Sequence, residues 1–172
     1  MRNALSLLIL TAIVAPAAAQ HSPPASLSHD EVHGLMTGQG MGLARAAELN
    51  AYPGPKHVLE LADSLALSDR QRETAERLMA DVQTEARALG ARVVEAEREL
   101  SALFDGEPVN DGALEAAAHE VARLRAELRL VHLRAHLRMA EVLTVEQSAR
   151  YHTLRHRTGA PMETGSDHSS HH

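Results

Sequence analysis

The chain has 172 residues, 17 Lys+Arg against 23 Asp+Glu for a formal net charge of −6, no cysteine, and only Phe104, Tyr52 and Tyr151 as aromatics. This composition excludes disulfide stabilisation and thiol chemistry, and it argues against nucleic-acid binding, which needs a basic field or a stacking platform. Histidine is the outlier, with 12 residues, and in a mildly acidic chain that abundance points toward metal.

Residues 1–19 place Arg2 ahead of an apolar run from Leu5 to Ala15 and end on Ala17-Ala18-Ala19 before Gln20. This is the layout of a secretory leader cleaved near Ala19/Gln20, and the run is too short for a permanent membrane span. Residues 20–55 are dense in Gly and Pro and read as a His/Gly/Pro-rich flexible linker with short helical pieces. In one such piece Ser28 and Glu31 could cap a turn bearing His29 and His33, and another falls at Leu43 to Asn50. From Lys56 to Leu67 the residues Val58, Leu61, Ala62 and Leu65 keep helical spacing behind Pro55. A heptad seam follows over Asp69 to Phe104, through Ala75, Leu78, Val82, Ala86, Leu89, Val93, Ala96, Leu100 and Leu103. Asp105-Gly106-Glu107-Pro108 breaks it. A second long helix is predicted from Asp111 to Leu143 with Leu114, Ala117, Val121, Leu124, Leu128, Val131 and Ala135 on one stripe, and a last helix from Thr144 to about Arg157. Residues 158–172 read as a disordered His-rich tail. The expected fold is therefore all-α: an antiparallel long-helix hairpin with two shorter flanking helices, occupying residues 56–157. The extra apolar stripe Leu130, Leu133 and Leu137 predicts a homodimer.

Leu67-Ser68-Asp69-Arg70-Gln71 and Leu143-Thr144-Val145-Glu146-Gln147 share the form Leu-(Ser/Thr)-x-x-Gln, and each opens a helix. The hydroxyl suits the third helical N–H while the Gln amide reaches back to the cap N–H. The leucine ahead of each cap faces a polar residue at the stapling position, so it is expected to pack across the hairpin instead.

His132 and His136 stand one helical turn apart, a spacing that permits two-point coordination of one metal, with Met139 near the same face. The same spacing beside Leu128, Val131 and Ala135 also suits partly buried neutral histidines. His29 and His33 repeat it in the linker, as an accessory site or a solvated segment, and His152 and His156 repeat it at a position that favours the surface. Arg123, Arg125, Arg129, Arg134 and Arg138 oppose Glu85, Glu95, Glu97 and Glu99 as a charge-paired face or a client-binding rim. With no phosphate loop, no His-Glu-x-x-His and no cysteine nucleophile, catalysis is not expected.

A cysteine-free helical hairpin closed by Leu-Thr-x-x-Gln, with a degenerate copy ahead of it, resembles the Spy/CpxP family of periplasmic stress proteins over residues 56–157. The run Leu130 to His136 followed by Met139 is similar to that family's heavy-metal sensor branch. The resemblance implies further ligands on the first helix of the domain, where His57 and Glu60 stand nearest, although Leu61 occupies the place of a second histidine. It implies hooked four-helix protomers that dimerise into a cradle, and in some members ATP-independent binding of unfolded clients. Together these features predict a periplasmic transition-metal sensor or buffer, with an ATP-independent chaperone or stress adaptor as the alternative. The expected ion is Zn, Cu, Ni or Co in its divalent state, held by His132, His136, His57, Glu60, Met139, His29 and His33. A membrane-bound signalling partner would read the output.

Export of the chain should leave a mature protein starting at Gln20 or within a few residues of it. Intact mass of the periplasmic fraction checks this, and a membrane-retained species still carrying Met1 would overturn it.

Overall fold

The computed structural model describes residues 24, 26–105 and 108–159, which form six helices and no strand. These are α1 (His29–Thr37), α2 (Arg45–Leu49), α3 (Pro55–Glu60), α4 (Asp69–Ala102), α5 (Asp111–Val142) and α6 (Val145–Gly159). The leader, most of the C-terminal tail and Gly106-Glu107 of the expected breaker cluster lie outside the described residues.

Helices α4 and α5 are the two long elements that the heptad seams predict. Ala75, Leu78, Val82, Ala86, Leu89, Val93 and Ala96 are buried on α4, and Val121, Leu124, Leu128, Val131 and Ala135 on α5. They run in opposite senses: Gln71, at the start of α4, donates to the Val142 carbonyl at the end of α5 (2.9 Å), and Glu97, near the end of α4, accepts from Arg125 Nη2 (2.6 Å). The buried residues fall into two clusters along this pair. The upper one gathers Val82 to Ala96 of α4, Val121 to Ala135 of α5, and Leu27 and Leu35; the lower one gathers Val58, Leu65, Ala75, Leu78, Met139, Leu143 and Tyr151.

Both Leu-(Ser/Thr)-x-x-Gln copies form capping boxes. Ser68 Oγ accepts from Gln71 N–H while Gln71 Oε1 accepts from Ser68 N–H, and Thr144 and Gln147 repeat the exchange. The two glutamines then bond each other: Gln71 Nε2 donates to Gln147 Oε1 (2.7 Å) and Gln147 Nε2 donates back to Gln71 Oε1 (3.1 Å). Leu143 is buried in the lower cluster and Leu67 packs against it, so both leucines do pack across the hairpin.

Two elements depart from expectation. The helix predicted over Lys56 to Leu67 ends at Glu60 and continues as tight turns, closing on Ala66 at φ 50°. Val58, Ala62 and Leu65 still turn inward, so the periodicity reported burial correctly while the backbone left the α-helix early. The larger departure is in residues 26–55, expected as a flexible linker with short helical pieces. They carry α1, capped by the foreseen Ser28–Glu31 box, and α2, and they bury Leu27, Leu35, Ala44 and Ala47. The described chain therefore has six helices, four in the expected hairpin domain and two where the short helical pieces were expected.

Glycine makes this docking possible. At Gly90 of α4 a Cβ would stand 2.1 Å from the Leu35 carbonyl oxygen and 2.7 Å from its carbon, so the backbone of α1 lies directly on α4. Gly38, at φ 71°, ends α1 against the Gln83 carbonyl oxygen and Arg87. Ser26 fastens the segment's start by donating to the buried carboxylate of Glu97 at 3.2 Å. In an exposed helix interior Gly→Ala stabilises by about 1 kcal/mol, whereas here the new methyl meets backbone that cannot rotate away. Gly90→Ala should therefore destabilise the protein by about 1–3 kcal/mol and raise amide exchange across residues 29–37. Urea unfolding with hydrogen exchange checks the sign, and a more stable variant would refute the close contact.

Candidate metal centre

The site forms where the two clusters meet. On α5, His132 and His136 lie between Val131 and Ala135 of the upper cluster and Met139 of the lower one, and both rings are buried. They line a cavity of about 570 Å³ whose other walls come from the Thr37–Gly42 turn, Glu48, Gly54 to His57, and Met79, Val82 and Gln83 of α4.

Each histidine is held differently. His136 Nδ1 lies 2.9 Å from the Tyr52 carbonyl oxygen. A carbonyl only accepts, so Nδ1 carries a proton, and in the neutral ring Nε2 keeps its lone pair, the arrangement by which proteins orient a metal-binding imidazole. Gly54 makes room for that ring: a Cβ there would stand 2.7 Å from Cε1 and 2.9 Å from Nε2. From α6, the buried Tyr151 meets the Gly54 backbone, and burial pushes its hydroxyl above the ordinary range. His132 has no such support. Its Nε2 is buried with no hydrogen-bond partner, and burial, followed by the neighbouring His136, lowers its pKa from the ordinary 6.5. Its Nδ1 edge lies toward Gly40, 3.8 Å from where a Cβ would be.

His57, on α3, lines the same cavity and lies 2.9 Å from Glu60 Oε2 through Nδ1. That bond holds the Glu60 carboxyl below its usual range. It also leaves His57 Nε2 directed 4.0 Å from Glu48 Oε1.

The structure thus brings His132, His136 and His57 to one cavity and separates the other sequence candidates. Glu60 does not line the cavity and stands behind His57 as its orienting partner. Met139 is fully buried among Val58, Leu65 and Leu78. His29 and His33 lie on the exposed side of α1. Sequence reasoning missed Glu48, Met79, Gln83 and the Tyr52 carbonyl as neighbours of the histidines, because they come from segments that only the docking of residues 26–55 brings together. Among the described residues no three His, Asp or Glu side chains stand close enough to hold an ion as they are. The donors nevertheless fit a metal in kind: one imidazole oriented through its far nitrogen and one with an orphaned, uncharged nitrogen.

A family model described as heavy-metal resistance matches residues 4–150. The chain belongs to the heavy-metal resistance family. Comparison with curated proteins and with solved structures finds no match. Membership accords with the Spy/CpxP-like resemblance carried by the two Leu-(Ser/Thr)-x-x-Gln boxes, and no helix among the described residues of this family member is long and apolar enough to cross a membrane.

The orphaned imidazole has a measurable cost. Because the folded-state pKa of His132 lies below that of the unfolded chain, the unfolded state takes up the proton first as pH falls, and stability declines below about 6.5. His132→Leu should stabilise the metal-free protein by about 1 kcal/mol at pH 7 and flatten its stability profile between pH 7 and 5. Urea unfolding across that range tests this, and identical pH dependence in both proteins would refute it.

Proposed function

We propose that this protein is a periplasmic transition-metal sensor or buffer of the metal-stress response. One observation carries the reading: two buried imidazoles one turn apart on α5 share a cavity with His57, and the backbone of residues 52–54 fixes the tautomer and seat of one of them. The leader-like N-terminus supports export, and family membership supports a role in the response to heavy metals. Sequence chemistry alone leaves Zn(II), Cu(II), Ni(II) and Co(II) as candidate ions, because imidazole donors disfavour Mg(II) and Ca(II).

In this reading His132, His136 and His57 hold the ion, Glu60 and the Tyr52 carbonyl orient two of those rings, and Glu48 is the carboxylate in the cavity wall. The metal would join α5 to the segment carrying α2 and α3. A ligand that favours the docked arrangement raises its population, and a membrane-bound partner could read that change.

A second reading has its own support. A groove of about 550 Å³ between α4 and α5 is lined by Ala88, Leu89, Leu130 and Val131 and rimmed by Glu85, Arg92, Glu127 and Arg134, while Leu130 and Leu137 are 42% and 50% exposed. Such a face suits a second protomer or an unfolded client.

Calorimetric titration of the mature chain with Zn(II), Cu(II), Ni(II) and Co(II) should show one site that disappears in His132→Ala plus His136→Ala and weakens as pH falls through about 6.5. Equal binding by the double variant would remove the metal reading. If that variant also suppressed client aggregation in chelator as well as wild type does, the chaperone reading would replace it.

A further inference from the structure

The cavity holds a second kind of donor. Met41, in the turn after α1, and Met79, on α4, line it together with His57, His132 and His136. Only one carboxylate, Glu48, and one amine, Lys56, join them in the wall. We propose that the ion this cavity takes is soft and monovalent, Cu(I) or Ag(I), and that Met41 and Met79 supply thioether sulfur to it. The proposal rests on the reading of the cavity as a metal site and narrows which metal that site serves.

Three observations carry it. First, no three His, Asp or Glu side chains among the described residues converge, whereas Zn(II) in structural protein sites takes four nitrogen, oxygen or thiolate ligands. Glu48 is the one carboxylate in the wall and Lys56 adds positive charge there, so a divalent ion finds imidazoles but little compensating negative charge. A monovalent d10 ion needs less charge, and thioether is among the donors that select Cu(I).

Second, Met41 occupies a backbone conformation that methionine does not favour. Its φ is 42°, between Gly40 and a Gly42 at φ 75°. Left-handed positions are taken at low cost by Gly or Asn, and a strained non-glycine residue that persists is characteristic of functional sites. Core packing does not account for it, because Met41 is 44% exposed. Its sulfur rests over Gly34, where a Cβ would stand 2.2 Å from Sδ, so the absence of a side chain at Gly34 provides its seat. Gly34 does not line the cavity, so an ion in the cavity would draw the sulfur from this seat by rotation of the unbranched side chain.

Third, the two sulfurs come from opposite sides of the contact that builds the cavity. Met79 belongs to the hairpin and Met41 to the segment docked on it. An ion held by both would close the docked segment onto α4 as well as α5.

The experiment uses the mature full-length chain labelled with 13C at methionine methyls and titrated with Ag(I), a redox-inert stand-in for Cu(I), and separately with Zn(II). Ag(I) should shift the methyl signals of Met41 and Met79 and leave buried Met139 unmoved. Met41→Leu and Met79→Leu should each weaken Ag(I) binding about tenfold, a change of about 1.4 kcal/mol, without altering Zn(II) binding. If neither methyl shifts, or if the double Met→Leu variant binds Ag(I) as wild type does while His132→Ala plus His136→Ala abolishes it, the thioether proposal is wrong and the metal site stands. If the histidine variant binds both ions as wild type does, the metal site itself is wrong. The methyl shifts are read on the unsubstituted protein, so a variant that fails to fold leaves the test intact.

Discussion

The contact between the Leu35 carbonyl and Gly90 is the constraint on which the rest of the site depends. Backbone on backbone, it sets the height at which α1 crosses α4, and the following chain has few other anchors. Gly38 then turns against Gln83 and Arg87, the Gly40 turn reaches His132, and residues 52–54 close over His136. The cavity is the space left under this segment. Its outer wall consists of chain that contributes only Leu27, Leu35, Ala44 and Ala47 to the buried apolar set before Pro53, so a modest loss at the crossing removes the wall while the hairpin keeps its seam.

The hairpin is secured by a different kind of interaction. The amides of Gln71 and Gln147 have their hydrogen-bonding capacity used in full: each oxygen accepts from a helix-cap N–H and from the other amide, and each nitrogen donates to the other amide and to the carbonyl of Val142 or Leu65. A partly buried polar network satisfied in this way rigidifies and specifies the register. About three turns back along α5, His132 Nε2 is buried with no partner, a state it shares among the described residues with Arg98 Nε. Polar satisfaction at the clasp and its failure at His132 cannot both reflect the general quality of packing. A local violation inside a consistent fold is the mark of a position kept for another purpose.

How much of this was legible in the sequence follows from which signals are local. The seams of α4 and α5, the capping boxes and the pairing of His132 with His136 depend on residues within two turns of each other, and the periodicity exposes them. In residues 26–55 the two short helical pieces were legible but their docking was not, because Gly and Pro density has two meanings. It marks solvated linkers, and it equally marks chain that must approach other backbone or a ring closely, as Gly38 and Gly54 do. The partner in that approach, Gly90, sits inside a seam where a lone glycine carries no sign of its role. Met139 shows the limit of face counting: it follows His136 at helical spacing, yet the boundary between the two clusters falls between them, and a one-turn shift moves a side chain from cavity wall to core. Glu60 was legible as a neighbour of His57 but not as its orienting partner, since that distinction depends on which ring nitrogen faces the cavity.

The position of the site between the clusters determines what a bound ion would act on. The hairpin and clasp hold α4 and α5 together, whereas the segment with α1 and α2 is docked on that pair through Leu27, Leu35, Val32 and Leu43, and local opening of a docked segment requires less free energy than global unfolding. On the metal-binding reading, an ion held by His132 and His136 together with His57 or Met41 binds only while that segment is docked. At a concentration 100 times its dissociation constant it would favour the docked state by about 2.7 kcal/mol. Set against global stability this is a modest increment, but against the local opening of a docked segment it shifts the population about a hundredfold. On this reading the output of metal binding would be the docking of residues 26–55, with the hairpin as the fixed frame against which it is measured.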